Sequence, residues 1–338
     1  MTPSEQASQT EPGPVRSGVS GKRYSLVADI GGTNTRVALA RGPKVIPDTI
    51  KRFANAGQPG LQPILESFLS QSGLSAADID RICVAAAGPV HDGVARMTNL
   101  DWKIDRDTLV EAVTPRSVAV LNDLQAQGHA LPYLARAKLV EVAPPSKPKV
   151  QDNPQAARLV VGLGTGFNIA PVYTTPAGRF VPPAEAGHVG LPIFDEASAE
   201  LWRRLNDRTN FVSVEEALSG RGISQVHFAL HSVQASAAEI MQGAHERSAK
   251  ALETIRAVCH LLGHVVGNLA LTFLPFGGIY LVGGVARSLA PWLMNEGFLD
   301  AMRDKGRFGD YVRQFSVRVV IDDYAALTGC ASHLSEID

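Results

Sequence analysis

Short apolar runs ending in glycine turns set the rhythm of this chain. SLVADI reads as a strand from Ser25, GGTN as a tight turn and TRVALA as a second strand. The pattern returns at RLVVGL, GTGFN and IAPVY, and GGIYLVGG is a strand that enters another Gly-Gly turn. RICVAAAGPV and SVAVL read as buried strands, 59–71 as an amphipathic helix, and the end of DWKIDRDTLVEAV as helical. Helices dominate from 196 to 275. Strands alternating with helices predict an α/β protein, and two strand–glycine–strand units predict two similarly built halves.

Three stretches stand outside this rhythm. Residues 1–23 are rich in Ser, Pro, Gly, Thr and Glu and carry no apolar run, which predicts a disordered tail. The tail lacks the apolar stretch of about 7–15 residues that a signal peptide needs. The most hydrophobic region, 257–274, is interrupted by His260, His264 and Asn268, so it reads as a buried helix and not a membrane span. The two histidines read as helix-packing groups without a third metal ligand. APPSKPKVQDNPQ at 143–155 reads as a surface loop.

Length and charge narrow the class. With 338 residues, the chain holds about two domains at roughly 150 residues each. A formal net charge of −1 argues against a nucleic-acid partner, which needs clustered Lys and Arg. Cys83, Cys259 and Cys330 are odd in number and far apart, with no Cys-x-x-Cys pair, which points to a reducing cytosol. A two-domain protein handling small molecules fits these numbers.

The glycine turns supply the first chemistry. Glycine lets backbone N–H groups approach an anion closely. Taken singly, each of Gly31-Gly32, Gly164-Thr165-Gly166 and Gly283-Gly284 reads more readily as a plain hairpin turn. No Gly-Lys-Ser/Thr run opens a helix, and the first two turns lead into strands, which excludes the Walker and dinucleotide fingerprints. What remains is a hairpin carrying hydroxyls, Thr33, Thr35 and Thr165, with Asn34 beside them and Asp29 just before the first turn. A carboxylate there could hold a magnesium ion bridging phosphate oxygens, while threonines and turn amides bind the phosphates.

A second group of residues suits a polyol. SVAVL ends at Asn122-Asp123, where Asp123 either caps the next helix or stands as a base beyond a strand's carboxyl end. Glu185 and His188 lie in VPPAEAGHVGLP, where Pro182, Pro183, Gly187 and Gly190 disfavour a helical metal pair. A carboxylate and an imidazole on a bent loop suit sugar hydroxyls instead. In SVEEALSGRG, Ser213 and Glu216 read as a capping box, leaving Glu215 either for the site or as a solvated surface group.

Asp29-Ile30-Gly31-Gly32-Thr33-Asn34, Gly164-Thr165-Gly166 and Gly283-Gly284, in this order, resemble the actin–hexokinase superfamily of sugar kinases and ATPases. Asn122-Asp123, the Glu185 to His188 loop and Glu215 before Leu-Ser-Gly narrow the resemblance to the proteobacterial-type glucokinase family, from about residue 24 to the C-terminus. The resemblance implies a two-domain actin/hexokinase-like (ribonuclease H-like) α/β fold with a cleft between lobes. The small domain would be 24–133 plus 320–338, and the large domain 134–319. It implies ATP-dependent phosphorylation of D-glucose at the 6-hydroxyl, a glycolytic step, with Asp123 as general base. Asn122, Asp123, Glu185, His188 and Glu215 would bind glucose. Gly31, Gly32, Thr33, Asn34, Gly164, Thr165 and Gly166 would bind the phosphates of ATP, Gly283 and Gly284 its adenosine, and Asp29 the Mg2+. A cytoplasmic homodimer with no nucleic-acid or membrane partner goes with this reading.

The chain departs from the family pattern at three places. Phe167-Asn168 stands where Leu-Gly is usual, Ala186 where Gly is common, and Arg221 where Pro is common. Two alternatives remain: a kinase for N-acetylglucosamine or mannose on the same scaffold, and a non-enzymatic sugar- or nucleotide-binding regulator. The retained Asp123 weighs against the regulator, and the lack of a cysteine-rich zinc motif or DNA-binding segment weighs against a repressor.

Overall fold

The computed structural model describes residues 24–97, 100–146 and 153–337. The expected tail and the middle of the 143–155 loop lie outside the described residues. Nearly continuous apolar runs become central strands because a parallel sheet buried on both faces needs apolar side chains on both. Ile79–Ala86 illustrates this, with its last five residues all buried.

The first sheet contains β1 (Tyr24–Ile30), β2 (Asn34–Arg41), β3 (Lys44–Val45), β4 (Lys51–Ala54), β5 (Ile79–Ala86) and later β9. A small sheet of β6 (Val90–His91), β7 (Val94–Arg96) and β8 (Lys103–Ile104) precedes β9 (Ser117–Asn122). The main order is β3-β2-β1-β5-β9, with β4 also paired to β2. β1 and β2 form an antiparallel hairpin, while β1, β5 and β9 run parallel. Register pairs Ile30 with Ala86 and Ala86 with Asn122, so three strands end level with one another.

The second sheet repeats this plan. It comprises β10 (Leu139–Ala143), β11 (Arg158–Leu163), β12 (Phe167–Thr175), β13 (Gly178–Phe180), β14 (Ile279–Val282) and β15 (Val317–Val320). Its order is β10-β15-β14-β11-β12-β13. Again a hairpin, β11–β12, sits beside parallel strands, here β14 and β15.

Each sheet has its own core. Leu65 and Phe68 of the helix Gln62–Gln71 and Leu109 and Val113 of Arg106–Val113 cover one face of the first sheet. The last helix, Ala325–Leu334, returns to its other face, where Leu327, Cys330 and Leu334 meet Val27 and Cys83. The second sheet packs on a helical layer that includes Ala249–Phe273. Among the described residues this helix alone is long and apolar enough to cross a membrane, and it is mostly buried inside the protein. His264 on this helix stacks on Phe194, ring centroids 3.7 Å apart.

Two helices join the halves. Leu124, Ala130 and Leu131, in and just after the helix Asp123–Ala130, pack with Val160, Val172 and Val282 of the second sheet. Arg179 on β13 pairs with Glu336 and donates to Ser332 Oγ at 2.7 Å, tying the last helix to that sheet. The two helices cross so closely that a methyl group at Gly329 would collide with the Ala126 carbonyl oxygen. Gly329→Ala is therefore expected to force the helices apart, destabilising the protein by about 1–3 kcal/mol. A thermal melt should register a Tm several degrees lower, and an unchanged Tm would contradict this packing.

Candidate active site

The first hairpin is built to leave its tip open. Gly31 N–H donates to the Asn34 carbonyl at 3.0 Å and closes the turn, while Gly32 and Thr33 remain exposed. Asp29 faces Arg36, its register partner, and accepts from Arg36 Nη1 at 3.0 Å. Burial raises the Asp29 carboxyl above the usual carboxylate range, and the Arg36 guanidinium opposes that shift.

A residue that sequence reasoning missed holds this turn. Asn55, only 2% exposed, donates from Nδ2 to the Gly31 carbonyl at 2.8 Å. Its backbone N–H reaches the Thr33 carbonyl at 2.9 Å. Its Oδ1 accepts from the Thr35 hydroxyl at 2.7 Å, which corrects the expectation that Thr35 offers its hydroxyl to phosphate. Thr35 is fully buried.

The second and third turns meet in the other half. Gly164 N–H donates to the Gly166 carbonyl at 2.9 Å, and Thr165 is exposed at the tip. Parallel pairing of β11 with β14 sets Gly162 beside Val282, which brings Gly283-Gly284 next to this turn. A cleft of about 500 Å³ opens between them, lined by Gly164, Thr165, Gly220, Met241, Gly284 and Val285 among others. Gly220, in the Leu-Ser-Gly segment, donates its N–H to the Gly164 carbonyl at 2.8 Å, while Met241 carries no local signal in the sequence and reaches the cleft through helix packing. Phe167 and Asn168 continue as ordinary strand, so the departure from Leu-Gly leaves the turn intact.

The sugar-type residues converge from both halves. Asn122 is the cap of the helix Asp123–Ala130: its Oδ1 accepts from Leu124 N–H at 2.9 Å, a donor that Asp123 Oδ1 shares at 2.9 Å. Asn122 Oδ1 also accepts from the Gln125 N–H in a capping box, and its Nδ2 donates to the Gly88 carbonyl at 2.8 Å, which leaves one N–H for another partner. Asp123 is the first helical residue. Its carboxyl is pushed up to about 6, first by burial and then by repulsion from Asp29 and Glu185. Glu185 belongs to the second half, so its field at Asp123 marks a shared cleft.

Glu185 and His188 bound a single 3₁₀ turn, Ala186–His188, and both are exposed. Glu215 Oε2 accepts from Phe167 N–H at 2.9 Å, just after the second phosphate-type turn. The expected capping box at Ser213 and Glu216 is absent. Ser213 is bridged to Gly190 as extended chain, the helix Glu215–Leu218 starts later, and Glu216 pairs with Arg221 at 2.7 Å. Arg221 also lies 4.0 Å from Glu215 Oε1.

Two α/β halves, each with a glycine hairpin at the ends of parallel strands, and carboxylates gathered between them, define a two-lobed sugar kinase of actin/hexokinase-like fold. The glucokinase family profile matches residues 26–337. The glucokinase of Pseudomonas aeruginosa is 33% identical over 319 residues, spanning 92% of this chain and 94% of its own. That of Chromobacterium violaceum is 31% identical over 318 residues, spanning 92% and 89%. Among solved structures, a glucokinase from an Antarctic psychrotroph has a TM-score of 0.80 at 29% identity, over 92% of this chain and 98% of that one. This chain belongs to the glucokinase family and is a hexose kinase.

Two substitutions test the site's construction. A methyl at Gly166 would lie 2.5 Å from Glu215 Oε2, so Gly166→Ala should push that carboxylate off the Phe167 amide. Losing a charge-assisted hydrogen bond predicts a fall of about 10–100-fold in hexose kcat/KM, with Tm little changed. Steady-state kinetics beside a melt would check it, and unaltered kinetics would contradict it. Asn55→Ala strands the Thr35 hydroxyl and the Gly31 carbonyl, and should cost about 1–3 kcal/mol, read as a lower Tm.

Proposed function

We propose that this protein transfers the γ-phosphoryl group of ATP to the 6-hydroxyl of D-glucose, with Asp123 as general base. The observation that carries this reading is the Asp123 carboxyl, raised to about 6 by burial and by the charges of Asp29 and Glu185. A carboxylate with a pKa near the working pH takes a hydroxyl proton more readily than an ordinary one. Glu185 and Glu215 accept from sugar hydroxyls, His188 donates or accepts and Asn122 donates, so the 6-hydroxyl is turned toward Asp123. Backbone amides at Gly32, Thr33 and Asn34 on one side and Thr165-Gly166 on the other receive the phosphates, while the Gly31 and Gly164 N–H groups close the two turns. The cleft beside Gly283-Gly284 receives adenosine.

Magnesium fits this donor set. The ion keeps several waters and takes one or two carboxylates plus phosphate oxygens, and Asp29 stands beside the open first turn as such a carboxylate. When bound, the ion neutralises phosphate charge during transfer. Asp29 is the chain's own contribution to holding it, and Arg36 balances that carboxylate otherwise. Closure of 24–133 with 320–338 onto 134–319 would exclude water and suppress ATP hydrolysis. A cytoplasmic homodimer in glycolysis is part of the same reading, carried by family membership.

The test is coupled detection of ADP over a panel of sugars. The wild type should turn over glucose in preference to N-acetylglucosamine and mannose, and Asp123→Asn should lose about 10²–10⁴-fold in kcat. Equal rates in the two proteins would remove Asp123 as base, and no turnover with any sugar would remove the kinase reading. The base must be ionised, so activity is lost as pH falls through the raised pKa. The kcat/KM for glucose at low nucleotide should therefore drop below pH about 6 with unit slope. An acid limb near 4 would contradict it.

A further inference from the structure

We propose that Asn168 is a positioning residue for the sugar, clamping the Glu185 loop to the second phosphate-type hairpin. Asn168 sits on β12, two residues past Gly166, and uses both ends of its amide on one short segment. Nδ2 donates to the Ala184 carbonyl at 2.6 Å and to Glu185 Oε2 at 3.2 Å. Oδ1 accepts from the Ala186 N–H at 3.0 Å and from the Ile169 N–H at 2.8 Å. The backbone on either side of Glu185 and the carboxylate itself are thus fixed by one side chain. Without it, the loop's Pro182, Pro183 and Gly187 give Glu185 no helix or strand to stand on, and its only regular structure is the single turn Ala186–His188.

The neighbouring residue extends the device. Phe167 N–H holds Glu215 at 2.9 Å, so residues 167 and 168 anchor both sugar-side carboxylates immediately beyond the phosphate turn. Two departures from the family's usual pattern meet in this contact, because Asn168 Oδ1 bonds the backbone of Ala186. A glycine at position 168 has no side chain to make any of these bonds. Asn168 therefore acts on the sugar through Glu185, and glucose affinity is where its removal registers.

The inference rests on the proposed glucose kinase activity, and a double-mutant cycle with Glu185 tests it separately. The variants are Asn168→Gly, Asn168→Asp, Glu185→Gln and the double variant that joins Asn168→Gly to Glu185→Gln, each checked by circular dichroism. Glycine is the residue usual at this position in the family, so Asn168→Gly should fold. It should raise the KM for glucose about 10-fold or more and leave the KM for ATP within about twofold. Asn168→Asp keeps the bonds from the Ala186 and Ile169 amides but sets an anion against Glu185, and should be at least as impaired. In the cycle, the double variant should lose little more than Glu185→Gln alone. Additive losses would mean that Asn168 acts independently of Glu185 and would overturn the proposal. So would a parallel rise in both KM values, or an Asn168→Asp enzyme equal to wild type. A wild type inactive on glucose would instead remove the functional reading, and this inference with it.

Discussion

Burial of a carboxylate among like charges is the constraint on which this site depends. Asp29, Asp123 and Glu185 would separate in a flexible chain, yet here burial first, and then the charges of Asp29 and Glu185, push the Asp123 carboxyl up to about 6. Rigid elements hold two of them. Asp29 is fixed in β1 by the ladder to β2, and Asp123 by the end of β9 and the cap that Asn122 provides. Glu185 comes from the other half on a loop that Asn168 fastens. Arg36 at Asp29 is the one cation bonded to this group of three among the described residues, and a metal bound with nucleotide would add a second.

That arrangement gives a physical reason for two halves. One sheet presents a glycine turn and the Asn122-Asp123 pair at its strand ends, but closing a site over them from the opposite side requires a second body. The chain meets this need by repeating one plan, a glycine hairpin beside parallel strands, and by sharing two helices between the copies. Asp123–Ala130 touches both sheets, and Ala325–Leu334 is fastened by Arg179 to the second while packing on the first. Asp123, the proposed base, therefore sits on an element that both halves grip.

Much of this was legible in the sequence because it is local. Hairpins with glycine tips declare themselves within about ten residues, and the strands ending at Ile30, Leu163 and Val282 fall where their apolar runs stop. What was not legible depends on partners distant in the chain. Asn55 supports a turn 24 residues earlier, and Asn168 fastens a loop 16–18 residues later; nothing around either residue signals those contacts. Local rules left one position open and misread another. Asn and Asp cap helices about equally well, and the cap at the start of Asp123–Ala130 belongs to Asn122. Ser213 and Glu216 have capping-box spacing, but the bridge of Ser213 to Gly190 keeps that residue extended and moves the helix start onward.

The central claim is that Asp123 is poised as a base by burial and by its two carboxylate neighbours. Its most direct test is the titration of the Asp123 carboxyl itself in the free enzyme, followed by carbon NMR. The account predicts a midpoint near 6 that moves toward the ordinary aspartate value when Glu185 is replaced by glutamine. A wild-type midpoint already near 4, indifferent to Glu185, would contradict it.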